Sequence, residues 1–439
     1  MWLSGFRFLC LGTLLSCWAH GAGLAGADHD GNGIRDDVDA YIAEHTPAAS
    51  PERQAVQDYA RSLQRLVTGQ PPQVSLDSSP VLSLVRSGNK NWAEWTREVR
   101  SRTVNTGARL DAYAAAVQKA GPQFLPLYPI SEDDCASGQC TLVIFQNGIL
   151  TTEETALKSM LALRRLLGET AGPQRLLYAL NYNPTEGLLD LVEVFRQKFG
   201  EHDLGAALFA GTYGEPAALS AVATSLLEAK LRAQTTDQLP TTVGGWMTAL
   251  TNPGSLLPKA RPVLPTVDEV ADMTRQYVEA YLGSLVQTTL RLKDRAANST
   301  YMDDNARQLT DGVEAYLRRG LRVVLVAHSQ GNLYAEVVNR ELERRGVPTQ
   351  HFAVAGIAVP NGHSPANGPY VSTQADLVIG ALRLIFPVLA ANDHTVPAAQ
   401  PGSAFLGHAF VDVYTSPGSA VSKRVADVVL QAIDQVSRP

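Results

Sequence analysis

Apolar and polar positions change their period along the chain, and the changes divide it. From residue 34 to about 120 the apolar residues recur at helical spacing. Ala55, Tyr59, Leu63 and Leu66 form one stripe, and Trp95, Val99, Leu110, Tyr113 and Val117 form another within Trp92–Ala120. Gly69-Gln-Pro-Pro-Gln73 and Ser78-Ser-Pro80 interrupt them as loops. After residue 140 the pattern shifts to short, apolar-rich runs, as expected for strands buried on both faces. Thr141–Gln146, Arg175–Tyr182, Val323–Ala327, His351–Pro360 and Tyr370–Thr373 are the predicted strands. Helices alternate with them. One is capped by Thr151 or Thr152 and runs through Leu157, Leu161 and Leu166, and another spans Leu188–Phe199. A third carries Leu309, Val313 and Leu317 and stops at Gly320, and Val421–Val436 closes the chain. Strand–helix alternation predicts an α/β fold: a mostly parallel sheet flanked by helices, with an N-terminal helical region. An Ala/Leu-rich helical insertion, about 205–290, separates the second strand from the third.

The most informative stretch is Leu321-Arg-Val-Val-Leu-Val-Ala-His-Ser-Gln-Gly-Asn-Leu-Tyr-Ala335. It reads as strand, sharp turn and helix, with Leu333, Val337, Val338 and Leu342 at helical spacing after the turn. Ser329 would sit at the carboxyl end of the strand and the amino end of the helix, beside free backbone N–H groups. Ala327-His-Ser-Gln-Gly331 resembles the nucleophile elbow G-x-S-x-G of the α/β-hydrolase superfamily, with Ala327 replacing the first glycine. The resemblance covers roughly residues 141 to 439.

That resemblance implies an α/β-hydrolase fold and hydrolysis of an ester through an acyl-enzyme. Such chemistry needs a histidine to deprotonate the serine and a carboxylate to orient the histidine. The superfamily order of serine, acid and histidine points to Asp376 after the Tyr370 strand and His408 in Leu406-Gly-His-Ala-Phe. Asp393 and His394 are the rival acid and base. His328 is expected to point away from the serine. The oxyanion hole would use the N–H of Gln330 and one from the loop after the first strand, Ile149 ahead of Gly148. The insertion suits a lid or acyl pocket, and hence lipid-like or other apolar esters. A secreted amidase or peptidase of the same fold, and a non-catalytic binding protein on it, are the alternatives. No H-E-x-x-H or comparable spacing suggests zinc.

The N-terminus adds two further expectations. Arg7, the apolar run Phe8–Ala19 and Ala25-Gly-Ala27 read as an export signal over residues 1–27, giving a periplasmic or secreted protein. Leu14-Leu-Ser-Cys17 also resembles a lipobox, which would anchor the chain at a membrane surface through a lipidated Cys17. In an exported protein, Cys135 and Cys140 would form a disulfide. Asp28-His-Asp-Gly-Asn-Gly-Ile-Arg-Asp-Asp-Val-Asp39 places oxygen ligands at loop positions served by Asp28, Asp30, Asn32, the Ile34 carbonyl, Asp36 and Asp39. It resembles calcium loops of the EF-hand, dockerin and thrombospondin type 3 kind, with Asp39 in place of the usual glutamate. The expected Ca²⁺ is structural, and no cofactor is required for the chemistry. The expected division is therefore a signal over 1–27, a calcium-loop and helical region over 28–134, and a catalytic region over 135–439. The net charge of −6 argues against nucleic acid as a partner.

Overall fold

The computed structural model describes residues 23–70, 79–130, 135, 139–148, 151–184, 283, 286–298, 300–385, 387–395 and 407–438. Most of the expected export signal, the predicted helix Leu188–Phe199 and nearly all of the expected insertion lie outside the described residues. Among the described residues, no helix is long and apolar enough to cross a membrane.

Ahead of the sheet, the described residues form α1 (Asp36–His45), α2 (Pro51–Val67), α3 (Pro80–Arg86), α4 (Trp92–Thr103) and α5 (Gly107–Lys119). Their starts are written in the sequence. The hydroxyls of Ser50, Ser79 and Thr106 accept from the N–H three residues on, each cap contributing about 1 kcal/mol. Thr106 also explains why the stripe over 92–120 is two helices rather than one. Its five named apolar residues are all buried. On α2 the buried face is Val56, Ala60, Leu63 and Val67, so the expected stripe is rotated, with Ala55, Tyr59 and Leu66 only partly buried.

The strands are β1 (Gln123–Pro126), β2 (Cys140–Gln146), β3 (Thr170–Ala171), β4 (Gln174–Tyr182), β5 (Arg322–His328), β6 (Phe352–Ile357) and β7 (Tyr370–Val371). They order as β1-β4-β2-β5-β6-β7, with β3 beside β4. The sheet is mixed, which corrects the expectation of a mostly parallel one. Pairings from β4 through β2, β5 and β6 to β7 are parallel, but β1 and β3 both run antiparallel to β4. The β3–β4 connection is a two-residue turn, too short for a crossover, and so forces the antiparallel pairing. Cys135 and Cys140, the first residue of β2, lie at disulfide distance, with Cα atoms 5.4 Å apart.

Two helical layers cover the sheet. The helix α6 (Glu153–Leu167) packs on β4, and α10 (Ala420–Ser437) packs on β5, β6 and α6. The other layer is α7 (Asp304–Arg318) with α8 (Gly331–Arg344), which touch each other and β5. Strands β2 and β6 are buried at every residue, and one continuous apolar cluster runs from Ile34 to Val436. The N-terminal helices join this core at α6. There, buried Arg100 of α4 forms a 3.0 Å ion pair with buried Glu154. Removing either partner would strand a buried charge at a cost of about 3–5 kcal/mol.

Candidate active site

Ser329 follows β5, the strand between β2 and β6, so the sheet centre sets its position. Its φ is +56°, a left-handed conformation that costs a non-glycine residue roughly 1–3 kcal/mol. Neighbouring contacts hold the turn against that cost. The Ser329 N–H donates to the Ile357 carbonyl at 3.0 Å. Asn332 Nδ2 donates to the Ser329 carbonyl at 2.8 Å and to the Ile357 carbonyl at 2.9 Å. Gly331 is sterically required, because a Cβ there would stand 2.7 Å from the Gln146 carbonyl oxygen. Ala327, two residues before Ser329, is accommodated in full burial.

The structure brings Ser329, His408 and Asp376 into one hydrogen-bonded line. His408 Nε2 lies 2.9 Å from Ser329 Oγ, and His408 Nδ1 lies 2.8 Å from Asp376 Oδ2. All three residues are buried. Asp376 caps the short helix α9 (Leu377–Arg383), its Oδ1 accepting from the Ile379 N–H at 2.9 Å. Its Oδ2 accepts a second bond from Tyr414 Oη, also at 2.8 Å. Tyr414 closes the π-helical turn Phe410–Tyr414 that follows His408. Burial and the adjacent carboxylate push its phenol well above the usual range, so it stays a donor. Gly407 makes the approach of base to acid feasible. Its φ is +70°, and a Cβ there would lie 2.0 Å from the Ala375 carbonyl oxygen.

His328 packs against His408, with ring centroids 4.9 Å apart, and meets Phe410 and Tyr414 edge-on. Burial, with His408 beside it, pushes its pKa well below the ordinary imidazole value. It therefore offers His408 a neutral neighbour.

The oxyanion candidates fall at the same place. The Gln330 N–H opens the first turn of α8, where helix geometry leaves N–H groups without intrahelical partners. Gly148 is pressed against the elbow, since a Cβ on it would lie 3.1 Å from Ser329 Cβ. Ile149 lies outside the described residues. The Gln330 side chain is an addition that periodicity and spacing did not show. Its Oε1 accepts from Ser329 Oγ at 2.6 Å, and its Nε2 donates to Thr289 Oγ1 at 2.6 Å. The serine hydroxyl, with one proton, therefore has two acceptors in reach, Gln330 and His408. Asn332 and Tyr414 were likewise missed. Asn332 carries a signal, being the first polar residue after the elbow glycine, whereas Tyr414 becomes visible only once the chain is folded.

The rivals are occupied elsewhere. Asp393 Oδ1 accepts from the Thr395 N–H at 2.7 Å and from its hydroxyl at 2.5 Å. His394 is exposed, with Nδ1 at 3.1 Å from Gln374 Oε1.

The acidic N-terminal loop is assembled differently. Asp28 and Asp30 accept from the Asn32 N–H, Asp28 also from the Gly33 N–H, and Asn32 Nδ2 donates to Asp30 and Asp39. The Ile34 N–H donates to Asn32 Oδ1 at 2.8 Å. Asp36 is drawn away to His29, whose pKa it raises. Among the described residues, no three histidine, cysteine or acidic side chains gather as metal ligands. As placed, then, only part of the expected donor set converges, and a cation would have to recruit Asp36 from His29. Arg61 Nε, donating to the Asn32 carbonyl at 2.9 Å, docks the loop on α2.

Comparison with protein families, with curated proteins and with solved structures finds no match to this chain.

Proposed function

We propose that this chain is an exported serine hydrolase of the α/β-hydrolase kind, cleaving carboxylic esters through an acyl-enzyme. One observation carries the reading: a buried Ser329–His408–Asp376 line, with spacings of 2.9 and 2.8 Å, on a turn whose serine adopts a positive φ. A base within hydrogen-bond reach of the serine favours catalysis over a binding role on the same fold.

Each residue has a task set by its atoms. Ser329 Oγ attacks the ester carbonyl while His408 Nε2 takes its proton. Asp376 accepts from His408 Nδ1, which fixes the tautomer with Nε2 as base and stabilises the imidazolium that forms. The Gln330 N–H and one from the Gly148–Ile149 loop hold the oxyanion, each such donor being worth about 10²–10³ in rate. Collapse expels the alcohol, which takes the proton back from His408. Water then repeats the cycle on the acyl-enzyme. The Gln330 side chain, hydrogen-bonded to the serine at rest, must yield that proton to the histidine path as substrate arrives. The preference for apolar esters rests on the Ala/Leu-rich composition of 205–290, and a structural Ca²⁺ at Asp28–Asp39 belongs to the same proposal. Reaction of the purified protein with a fluorophosphonate, followed by peptide mapping, tests the assignment. The label belongs on Ser329, and labelling elsewhere or not at all would overturn it.

A further inference from the structure

Where the N-terminal helices meet α6, a cavity of about 250 Å³ lies beside the loop that follows β2. Tyr59, Leu63, Tyr113 and Val117 line one part of it, and Ser79 and Glu153 another. Thr152, the N-cap of α6, and Tyr182, at the end of β4, complete it on the side of the sheet. The cavity therefore touches the framework of the proposed oxyanion loop: Tyr182 Oη donates to the Thr151 carbonyl, and the Asn183 N–H donates to Asn147 Oδ1 at 2.9 Å.

The charges on its walls are unequal in their partners. Arg100 and Glu154 form the buried ion pair, and Lys158 adds a second cation to Glu154 at 3.3 Å. Among the described residues, Glu153 has no such partner, and its one hydrogen bond comes from the Ser79 hydroxyl. Glu153 keeps some exposure because it lines the cavity, yet enough protein surrounds it that burial pushes its carboxyl up to about 7. An acid left without a cation in an aromatic-walled cavity is half of a recognition site, since ammonium groups are held by a carboxylate together with aromatic faces.

The geometry points to this cavity as a binding site for a small organic cation, an ammonium carried on an apolar or aromatic body, with Glu153 as its counter-ion and Tyr59 and Tyr113 as its aromatic walls. The size agrees. An apolar cavity of about 150 Å³ takes benzene, so this one suits a body of about ten non-hydrogen atoms. The inference does not depend on the hydrolase reading, because no triad residue lines the cavity.

A pH dependence follows, with its sign fixed. A cation binds the ionised glutamate, so binding below the Glu153 pKa must first release a proton. Affinity should be flat above that point and fall about tenfold per pH unit well below it. The other titratable groups facing the cavity are Tyr59, Tyr113, Tyr182 and the Arg100–Glu154 pair. Tyr59 and Tyr113 are held above the usual phenol range by burial, Arg100 and Glu154 pair with each other, and Tyr182 is a hydrogen-bonded phenol.

Calorimetry with the full chain tests this, using 2-phenylethylammonium and its neutral counterpart 2-phenylethanol. At pH 8 the amine should bind saturably at one site, at least tenfold tighter than the alcohol. Glu153→Gln, which keeps the bond from Ser79, should abolish that preference without unfolding the protein. At pH 6 the binding heat should scale with buffer ionisation heat, as proton release requires. Equal affinity for the two compounds, an unchanged preference in Glu153→Gln, no proton release at pH 6, or no saturable binding of the amine at millimolar concentration would each overturn the proposal.

Discussion

Ser329 and Asp28 both sit in short turns crowded with polar side chains, but the two turns are held from different distances along the chain. Ser329 meets His408 across 79 positions, and His408 meets Asp376 across 32. Asp376 caps α9 and His408 precedes the π-helical turn, and their chain neighbours Val378, Phe410 and Tyr414 are buried. In the N-terminal loop, the Asp28, Asp30 and Asn32 side chains bond to groups two to seven positions away, and Asp39 adds one donor, Gln57, from 18 positions on. A long-range site is ordered by the folding of everything around it, and needs no ligand to assemble. The local one sets neutral N–H donors, from its backbone, Asn32 and Gln57, against the repulsion of Asp28, Asp30 and Asp39, so an ion has work left to do there.

Exchanging the damage between the two regions separates them most sharply. Ser329→Ala or His408→Ala should lower kcat with an activated ester by about 10⁴-fold or more, while circular dichroism stays native. Asp28→Asn and Asp30→Asn should leave kcat within a factor of two. A large loss in the loop variants would make the loop part of the catalytic apparatus. His394→Ala, on the rival base, should also stay within a factor of two.

A smaller effect sharpens the account of the long-range site. Tyr414→Phe removes one of the two donors to Asp376 Oδ2 and nothing that touches substrate. It should cost about tenfold in kcat with KM unchanged, in line with loss of one hydrogen bond to a charged group. An unchanged kcat would show that the Ile379 N–H and His408 hold the carboxylate unaided.

The loop should respond in stability. Calcium at a hundredfold its dissociation constant should add about 2.7 kcal/mol to the folded loop, read as a higher Tm or slower proteolysis near residue 30. Asp30→Ala should abolish the gain. If calorimetry detects no calcium uptake, the Asp36–His29 pairing is the finished state of the loop.

The smallest expected effect concerns His328. Its folded pKa lies below its unfolded one, so the unfolded chain binds more protons as pH drops. Stability should be at its full value above about pH 6.5 and decline below it. His328→Gln should make that decline shallower, and an identical slope would mean that His328 is already charged in the folded state.

How much of this could be read from residues alone depended on how local the cause was. Strands β2 and β5 were legible because burial on both faces leaves an almost unbroken apolar run. Strand β1 was not, because only Leu125 of its four residues is buried and it ends in Pro126. The α2 stripe was misplaced by one position because the helix is apolar over a wide arc. Tyr59 and Leu66, read as core, line the cavity beside Glu153 instead. Ser329, Asp376 and His408 followed from motif and chain order, whereas the Gln330 side chain and Tyr414 depend on contacts with Thr289 and Asp376 that no spacing encodes. Asp36 was expected to face a cation, but a histidine seven positions away offers it a hydrogen bond.

The separation of 79 positions between Ser329 and His408 also has a consequence in time. During synthesis the nucleophile emerges well before its base, and the acid emerges between them. A chain interrupted between Ser329 and His408 has the serine but not the histidine that would take its proton. Chemical reactivity therefore arrives as one of the last events of assembly, after the sheet that aims it is complete. For the exported esterase proposed above, this order would keep the chain silent in the compartment that makes it.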